Sequence, residues 1–495
     1  AFIEEYDWLQ VATKVAEGAR FVHYDLIFAD ILKARGGFDL IVGNPPWAKP
    51  SWNEGEVLGD IDPLYLGLSA SEAKNKLSKA LDTSKLRSGF LNLYSITRGA
   101  MQVTSSGVMN PFAGGGANNL YRCFIDLCFR IMAPAGNAGL LHQDGHLTDP
   151  NSGRLRRDCY LRLRKHFDFL NRMKSKNFLD VAHDERFSIN IYGPKRSIIG
   201  FDNISLCFLA SQVDECYADD GYGELPALKN PEGKWDVRGH LHRLVRIDDG
   251  SLKAIGSLTE DSDVPFGQQR FLQPFSKSLI GVIRCMSAHP SFGEQEINWQ
   301  LNGLFGETAA QNSGLIIKKT SFTQDKEELI WSGPMLHVAN CYYKTPRSIS
   351  KTKADYDVID LTSLDTNYSP RTNFTRLADR GPFRSAISSC NWDKTKYHTD
   401  FFRFAFRKRI NLNSERSLIG GLIPEKVSHL STVISLAFED QSLLVDLQPI
   451  WLSIIMDFRT KAASRADLQL PDLRAFPFVD PGDTAKHRAL RLGCL

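Results

Sequence analysis

Asn44-Pro45-Pro46-Trp47 stands immediately after a short apolar run, Phe38–Gly43 (FDLIVG). The side-chain oxygen of Asn44 and the carbonyl of Pro45 are two hydrogen-bond acceptors on one loop. Prolines stiffen that loop, because each fixes φ and removes a backbone donor. Two acceptors held side by side suit an amine with two N–H bonds. The exocyclic amine of a purine is a poor nucleophile, since its lone pair is conjugated with the ring. Bonds to both hydrogens draw the nitrogen towards tetrahedral geometry and leave the lone pair free to attack an electrophilic methyl group. Trp47 adds a flat face for a base turned out of a duplex. Such a transfer needs no acid, base or metal beforehand; positioning and electrostatics carry it. Asn44, Pro45, Pro46 and Trp47 are therefore the candidate catalytic residues.

A loop of this kind needs a rigid support. FDLIVG ends in a glycine and a Pro-Pro turn, which predicts a buried parallel strand. Open α/β sheets bind ligands beyond the carboxyl ends of such strands, so the placement argues against a plain turn. Asn119–Met132 carries Leu120, Phe124, Leu127, Cys128 and Ile131 at helical spacing, and Pro134, Gly136 and Gly139 follow it. Gly139–His142 reads as the next strand, Arg154–His166 as a basic helix, and Phe187–Tyr192 and Ile198–Ala210 as further strands. Strands alternating with helices predict a doubly wound α/β domain. A polar, Gly- and Pro-rich stretch between about 214 and 250 marks a connection. A helix is expected at Lys277–Ser287. From about Gly333, short runs with aromatic residues among basic ones form a different domain. The expected division is 1–225, 226–330 and 331–495.

Phe38–Trp47 resembles motif IV of the amino-methyltransferases, in which asparagine goes with adenine N6 and serine with cytosine N4. Upstream, Leu26–Leu32 (LIFADIL) ends 12 residues before Asn44 and resembles motif III. Downstream, GGGANNLYRCF, AGLLHQDGHLTDPNSGRLRRDCYLRLRKHFDFLN and HDERFSINIYG resemble the later half of the catalytic domain in large restriction–modification methylases. WSGPMLHVANCYYKTPR, DLTSLDTNYSPRTNF and FFRFAFRKRINLNSERSLIGGLIP resemble their target-recognition region. The chain is thus similar to gamma-class N6-adenine DNA methyltransferases of the restriction–modification and phage-defence type. The DISARM methylases (DrmMI) come first, with BREX PglX-like and type IIG methylases as alternatives.

That resemblance implies a class I Rossmann-like α/β methyltransferase domain and a mixed α/β target-recognition domain. It implies S-adenosyl-L-methionine as cofactor and double-stranded DNA as partner, with other defence-system subunits as further candidates. Asp30 would hydrogen-bond the cofactor adenine and Ile31 would pack against it. Phe187 would present its edge to the extruded base, although a core phenylalanine in a buried strand is an equal reading. The glycine-rich motif I should precede motif III. Only 29 residues precede Asp30 and none forms such a turn, so that motif is expected upstream of Ala1. Asn110–Gly116 (NPFAGGG) is the rival loop, which a permuted motif order would require. The alternative functions are a DNA-recognising defence subunit without methylase activity, and an RNA or protein-amide N-methyltransferase.

The formal charge of +3 over 495 residues names no partner, so nucleic-acid binding must come from local clusters. Lys318 with Lys319, Lys344 with Arg347, and Arg403, Arg407 and Arg409 supply them. They are interleaved with aromatic residues, giving cations for phosphates and rings for unstacked bases. Nine cysteines stand apart, with no Cys-x-x-Cys pair, which fits a reducing cytoplasm and gives no disulfide or metal framework. His142, Asp144, His146 and His183 are ligand types. His142 and His146 have the spacing of one helix face, but the segment reads as strand then loop, so no metal site is expected. No run approaches the ~18 uninterrupted apolar residues of a membrane span. A cytoplasmic location without a membrane partner is expected.

Overall fold

FDLIVG forms strand β1 (Phe38–Gly43) in the computed structural model. The structure describes residues 2–479 except 20–21, 23, 62–67, 69, 114–118, 174–177, 183–184, 261–262, 324, 351, 353, 366, 412–413 and 464–466. Two glycines set the start of β1. Gly36, at φ 72°, caps the preceding helix Ala29–Arg35. Gly37, at φ 139°, runs so close to the Ile131–Ala133 backbone that a Cβ would overlap it. The LIFADIL segment is helical, in Tyr24–Ile27 and Ala29–Arg35. Ala, Leu, Lys and Arg favour helix there, and the left-handed glycine ends it.

The chain divides into two compact units, Ala1–Asp249 with Phe275–Lys277, and Gly250–Pro274 with Ser278–Leu495. This division gives 226–249 to the first unit and nearly all of 250–330 to the second.

The first unit is built on a mixed sheet. Its strands are β1, β2 (Met132–His142), β3 (Leu163–Leu170), β4 (Arg186–Tyr192), β5 (Gly200–Cys207) and β6 (Val245–Asp248). Their order is β1-β2-β4-β3-β5-β6. β1, β2, β3 and β5 run one way, while β4 and β6 run the other. Parallel neighbours require long crossovers. The helix Leu120–Ile131 lies in the crossover from β1 to β2, and Gly153–Arg162 lies in the connection from β2 to β3, two co-directional strands with β4 between them. Leu120–Ile131 is helical as predicted, but of the expected apolar positions only Cys128 and Ile131 are buried; Tyr121, Ile125 and Phe129 complete the buried face, Phe124 is exposed, and the Asn119 side chain caps the start.

Two expectations are corrected here. The basic helix ends at Arg162 instead of His166, because Leu163–Leu170 gains strand partners on both sides, β4 and β5. β1 is parallel as expected but not buried: Leu40 and Val42 are 67% and 77% exposed. Among the described residues only β2 pairs with it.

Asp149 fastens the connection after β2. It accepts from Arg122 Nη1 at 2.6 Å and from the Asn151 amide at 3.0 Å. Burial opposes its ionised form, but those hydrogen bonds and the Arg122 charge prevail and hold the carboxyl below its ordinary range. A depressed carboxyl pKa adds stability that is present above the unfolded value and lost as pH falls through the folded one. Asp149→Asn is expected to cost about 1–2 kcal/mol at pH 7, after allowance for solvent screening. In urea titrations the difference should shrink as pH drops through the carboxylate range. A loss independent of pH would contradict the ionic role.

The second unit carries an antiparallel sheet, in the order Gly420–Ile423, Arg403–Arg407, Val433–Phe438, Trp299–Asn302. Every residue of Val433–Phe438 is buried. Trp451, at the end of the helix Leu443–Trp451, is fully buried among aromatic rings. The helix Lys277–Ser287 forms as predicted. No helix among the described residues is long and apolar enough to cross a membrane.

Candidate active site

β1 and β2 end side by side, with Gly43 opposite Leu140. β4 begins at the same edge, where Ser188 pairs with His142 and Arg186 with Leu170. The Asn44–Trp47 loop, the loop after His142 and the start of β4 therefore converge at the carboxyl ends of the parallel strands. Asn44 and Pro46 are exposed, Pro45 is buried and Trp47 is half-buried. The carboxyl end of the loop is fastened twice. Trp47 Nε1 donates to the Leu141 carbonyl at 3.4 Å, and the Leu120 amide donates to the Ala48 carbonyl at 2.8 Å. Asn44 has no side-chain partner among the described residues, so its amide is free to meet a ligand.

Beside the loop stands an aromatic stack. Trp47 lies over Phe187 with ring centroids 6.0 Å apart, and Phe187 lies over Phe169 at 5.2 Å. Phe178 meets Trp47 and Phe187 edge-on at 6.0 and 5.0 Å. The two residues expected at a target base are thus in contact. Phe187 is only 4% exposed, so it forms the floor of the stack and Trp47 the outer ring. Phe169 and Phe178 escaped the sequence reading. Phe169 falls beyond what read as a helix, and Phe178 lies in a segment without periodicity.

A polar chain ties together the start of the helix Leu120–Ile131, the loop after His142 and the approach to β4. Asn119 Nδ2 donates to Gln143 Oε1 at 3.1 Å, and Gln143 Nε2 donates to the Glu185 carboxylate. Deeper in, Asp144 accepts from His166 Nε2 at 2.9 Å and from the Ser188 hydroxyl. Burial pushes the Asp144 carboxyl up, but the adjacent His166 imidazole outweighs it and holds it well below the usual carboxylate range. The structure also gathers His142, Asp144 and His146, with ligand atoms within 4.8 Å of one another. A short helix, Gly145–Thr148, follows β2 where a loop was expected, and this brings the two histidines together. His183 lies outside the described residues.

The cofactor side is less complete. Asp30 is exposed in the first turn of the helix Ala29–Arg35, and Ile31 is half-buried beside it. Gly114–Gly116 of the rival glycine loop lie outside the described residues. Among the described residues no glycine-rich strand-to-helix turn adjoins β1. The described residues present an exposed Asn44 amide beside an aromatic stack, and among them there is no full cradle for S-adenosylmethionine.

The basic residues all fall in the second unit. Lys318 and Lys319 are exposed on the strand Ile316–Ser321. Lys344 is half-buried, with its ammonium 5.0 Å from the Tyr343 ring centre. Arg347 is exposed and paired with Asp357 at 2.9 Å, and Arg409 is exposed and paired with Asp467 at 3.6 Å. Arg407 is half-buried. Arg403 is fully buried and donates to the Phe401, Pro424 and Val427 carbonyls. It braces the sheet corner and has no face for a phosphate.

No family model and no curated protein matches the chain. Solved structures do, at low identity. One is the type IIL restriction-modification enzyme MmeI in complex with DNA, at 10% identity and TM-score 0.37, covering 94% of this chain and 50% of that one. Another is the type IIG restriction endonuclease BpuSI, at 9% identity and TM-score 0.28, covering 80% of this chain and 46% of that one. A third is a type I restriction-modification methyltransferase subunit from Streptococcus thermophilus, at 14% identity and TM-score 0.19, covering 38% of this chain and 28% of that one. The chain spans half or less of the length of each of these proteins.

Proposed function

We propose that the protein is an S-adenosylmethionine-dependent DNA methyltransferase acting on adenine N6, within a restriction–modification or phage-defence system of which DISARM is the first candidate. One observation carries the reading: the free Asn44 amide and the Pro45 backbone sit at the carboxyl end of β1, beside the Trp47–Phe187 stack. A class I Rossmann-like assignment for the first unit is supported by four co-directional strands with β4 reversed among them.

The target adenine rotates out of the duplex and lays its ring against Trp47. Asn44 Oδ1 and the Pro45 carbonyl each accept one N6 hydrogen, so the nitrogen lone pair is released from the ring and aimed. The anchors at Leu141 and Leu120 fix the loop before the base arrives, so little reorganisation remains for the reacting complex. S-adenosylmethionine, when bound, supplies the electrophilic methyl group.

The acceptor class is tested with methyl-labelled S-adenosylmethionine and full-length protein, offered duplex DNA, single-stranded RNA or a glutamine peptide in separate reactions. Label in DNA alone is expected; label in the peptide or RNA replaces the DNA reading.

Duplex contact is assigned to the exposed cations of the second unit, Lys318 and Lys319 first. Replacing both with glutamate should weaken duplex binding about 10-fold and flatten the dependence of log affinity on log salt by roughly 0.9 per lost phosphate contact. Fluorescence anisotropy across a salt series reads both. An unchanged slope removes these two lysines from the interface.

A further inference from the structure

We propose that His142, Asp144 and His146 form a binding site for a divalent transition-metal ion, zinc foremost, at the junction of β2 and the short helix that follows it. The inference is independent of the methyl-transfer reading. Two imidazoles and one carboxylate are a ligand set that suits zinc and its neighbours in the first transition row.

The three side chains come from one short stretch, His-x-Asp-x-His. β2 ends at His142, and the helix Gly145–Thr148 turns His146 back towards it. His142 and His146 are fully buried and Asp144 is 9% exposed. Their ligand atoms lie within 4.8 Å of one another, a set that small side-chain rotations close around an ion with bonds of about 2.0–2.2 Å.

Each ligand is prepared differently. His142 Nδ1 lies 2.9 Å from the Gln143 carbonyl, a contact that requires the N–H at Nδ1 and leaves the lone pair on Nε2, where the Tyr192 hydroxyl stands at 3.3 Å and an ion would take its place. Metal-bound histidines commonly donate their second ring N–H to a carbonyl in this way. The Asp144 carboxylate is oriented by His166 and Ser188. His146 is the decisive residue, because both of its ring nitrogens are buried and neither has a hydrogen-bond partner among the described residues. A buried imidazole is rarely left without any partner, and an ion between the two histidines supplies one. Two arginines stand close by: Arg156 Nη1 donates to the His146 and Asp149 carbonyls at 2.9 and 2.8 Å, and Arg122 is paired with Asp149 at 2.6 Å, which offsets its charge locally. The site lies one residue beyond Leu141, whose carbonyl anchors Trp47, and a bound ion would stiffen that anchor.

The test is metal content and binding in the full-length protein. Purified from medium with trace metals, it is expected to hold about one zinc per chain by mass spectrometry. Zinc and cobalt(II) should bind the chelator-stripped protein, cobalt giving the visible absorption of a low-symmetry nitrogen–oxygen site. His146→Gln should weaken zinc affinity at least about 10²-fold, with circular dichroism unchanged, while His289→Gln leaves it intact. If His146→Gln fails to fold, the stripped and cobalt-loaded wild type decides. Wild-type protein that neither carries nor takes up zinc or cobalt overturns the proposal. So does metal retained at full affinity by folded His146→Gln and Asp144→Asn variants.

Discussion

Asn44→Ala is expected to lower the rate of adenine methylation by about 10²–10³-fold, the loss typical of removing one preorganised hydrogen-bonding group from a reacting centre. Duplex affinity should stay as it is, because Asn44 belongs to the first unit and the exposed cations assigned to duplex contact belong to the second. The loop itself should survive the change. Its anchors are the Trp47 indole and the Ala48 carbonyl, and Asn44 takes part in neither. Single-turnover kinetics with saturating DNA isolate the chemical step. A variant with near wild-type turnover would mean that Asn44 is only a turn residue.

Trp451→Ala is expected to destabilise the second unit by about 3–5 kcal/mol, the usual range for emptying a large aromatic site in a core. The indole is fully buried. Its ring centre lies 5.0–6.5 Å from those of Phe292, Phe404, Phe406, Phe438 and Phe476. These rings come from two sheet strands and two separate segments, so no single neighbour can collapse into the space. Urea unfolding should show a lower midpoint with little change in slope. A loss below about 1 kcal/mol would mean that the cavity closes and that the ring cluster is not the keystone of this core.

What could be read in the sequence had local causes. FDLIVG, the Leu120–Ile131 spacing and the Lys277–Ser287 helix carry their own periodicity, and all three form where expected. β3 was hidden because LRKHFDFL continues the basic texture of the preceding helix; only pairing with β4 and β5 makes it a strand. The exposure of β1 depends on which strands flank it, which six residues cannot reveal.

The site divides in the same way. Trp47 and Phe187 could be chosen by type and position, and they meet. Phe178 joins them from an irregular segment with no local signal. Arg403 looked like its basic neighbours, yet two flanking strands and cover on both faces put it inside the sheet, where Arg403 to Phe406 are all buried. The His142–His146 pair was set aside because the segment read as a loop. One short helical turn reverses that geometry.

The central claim is that this loop methylates adenine N6. The most direct measurement incubates full-length protein with methyl-labelled S-adenosylmethionine and mixed-sequence duplex DNA, digests the product to nucleosides and identifies the labelled species by mass. Labelled N6-methyldeoxyadenosine, lost in Asn44→Ala, is the predicted result. Label on cytosine, or DNA that is bound but never methylated, would contradict it.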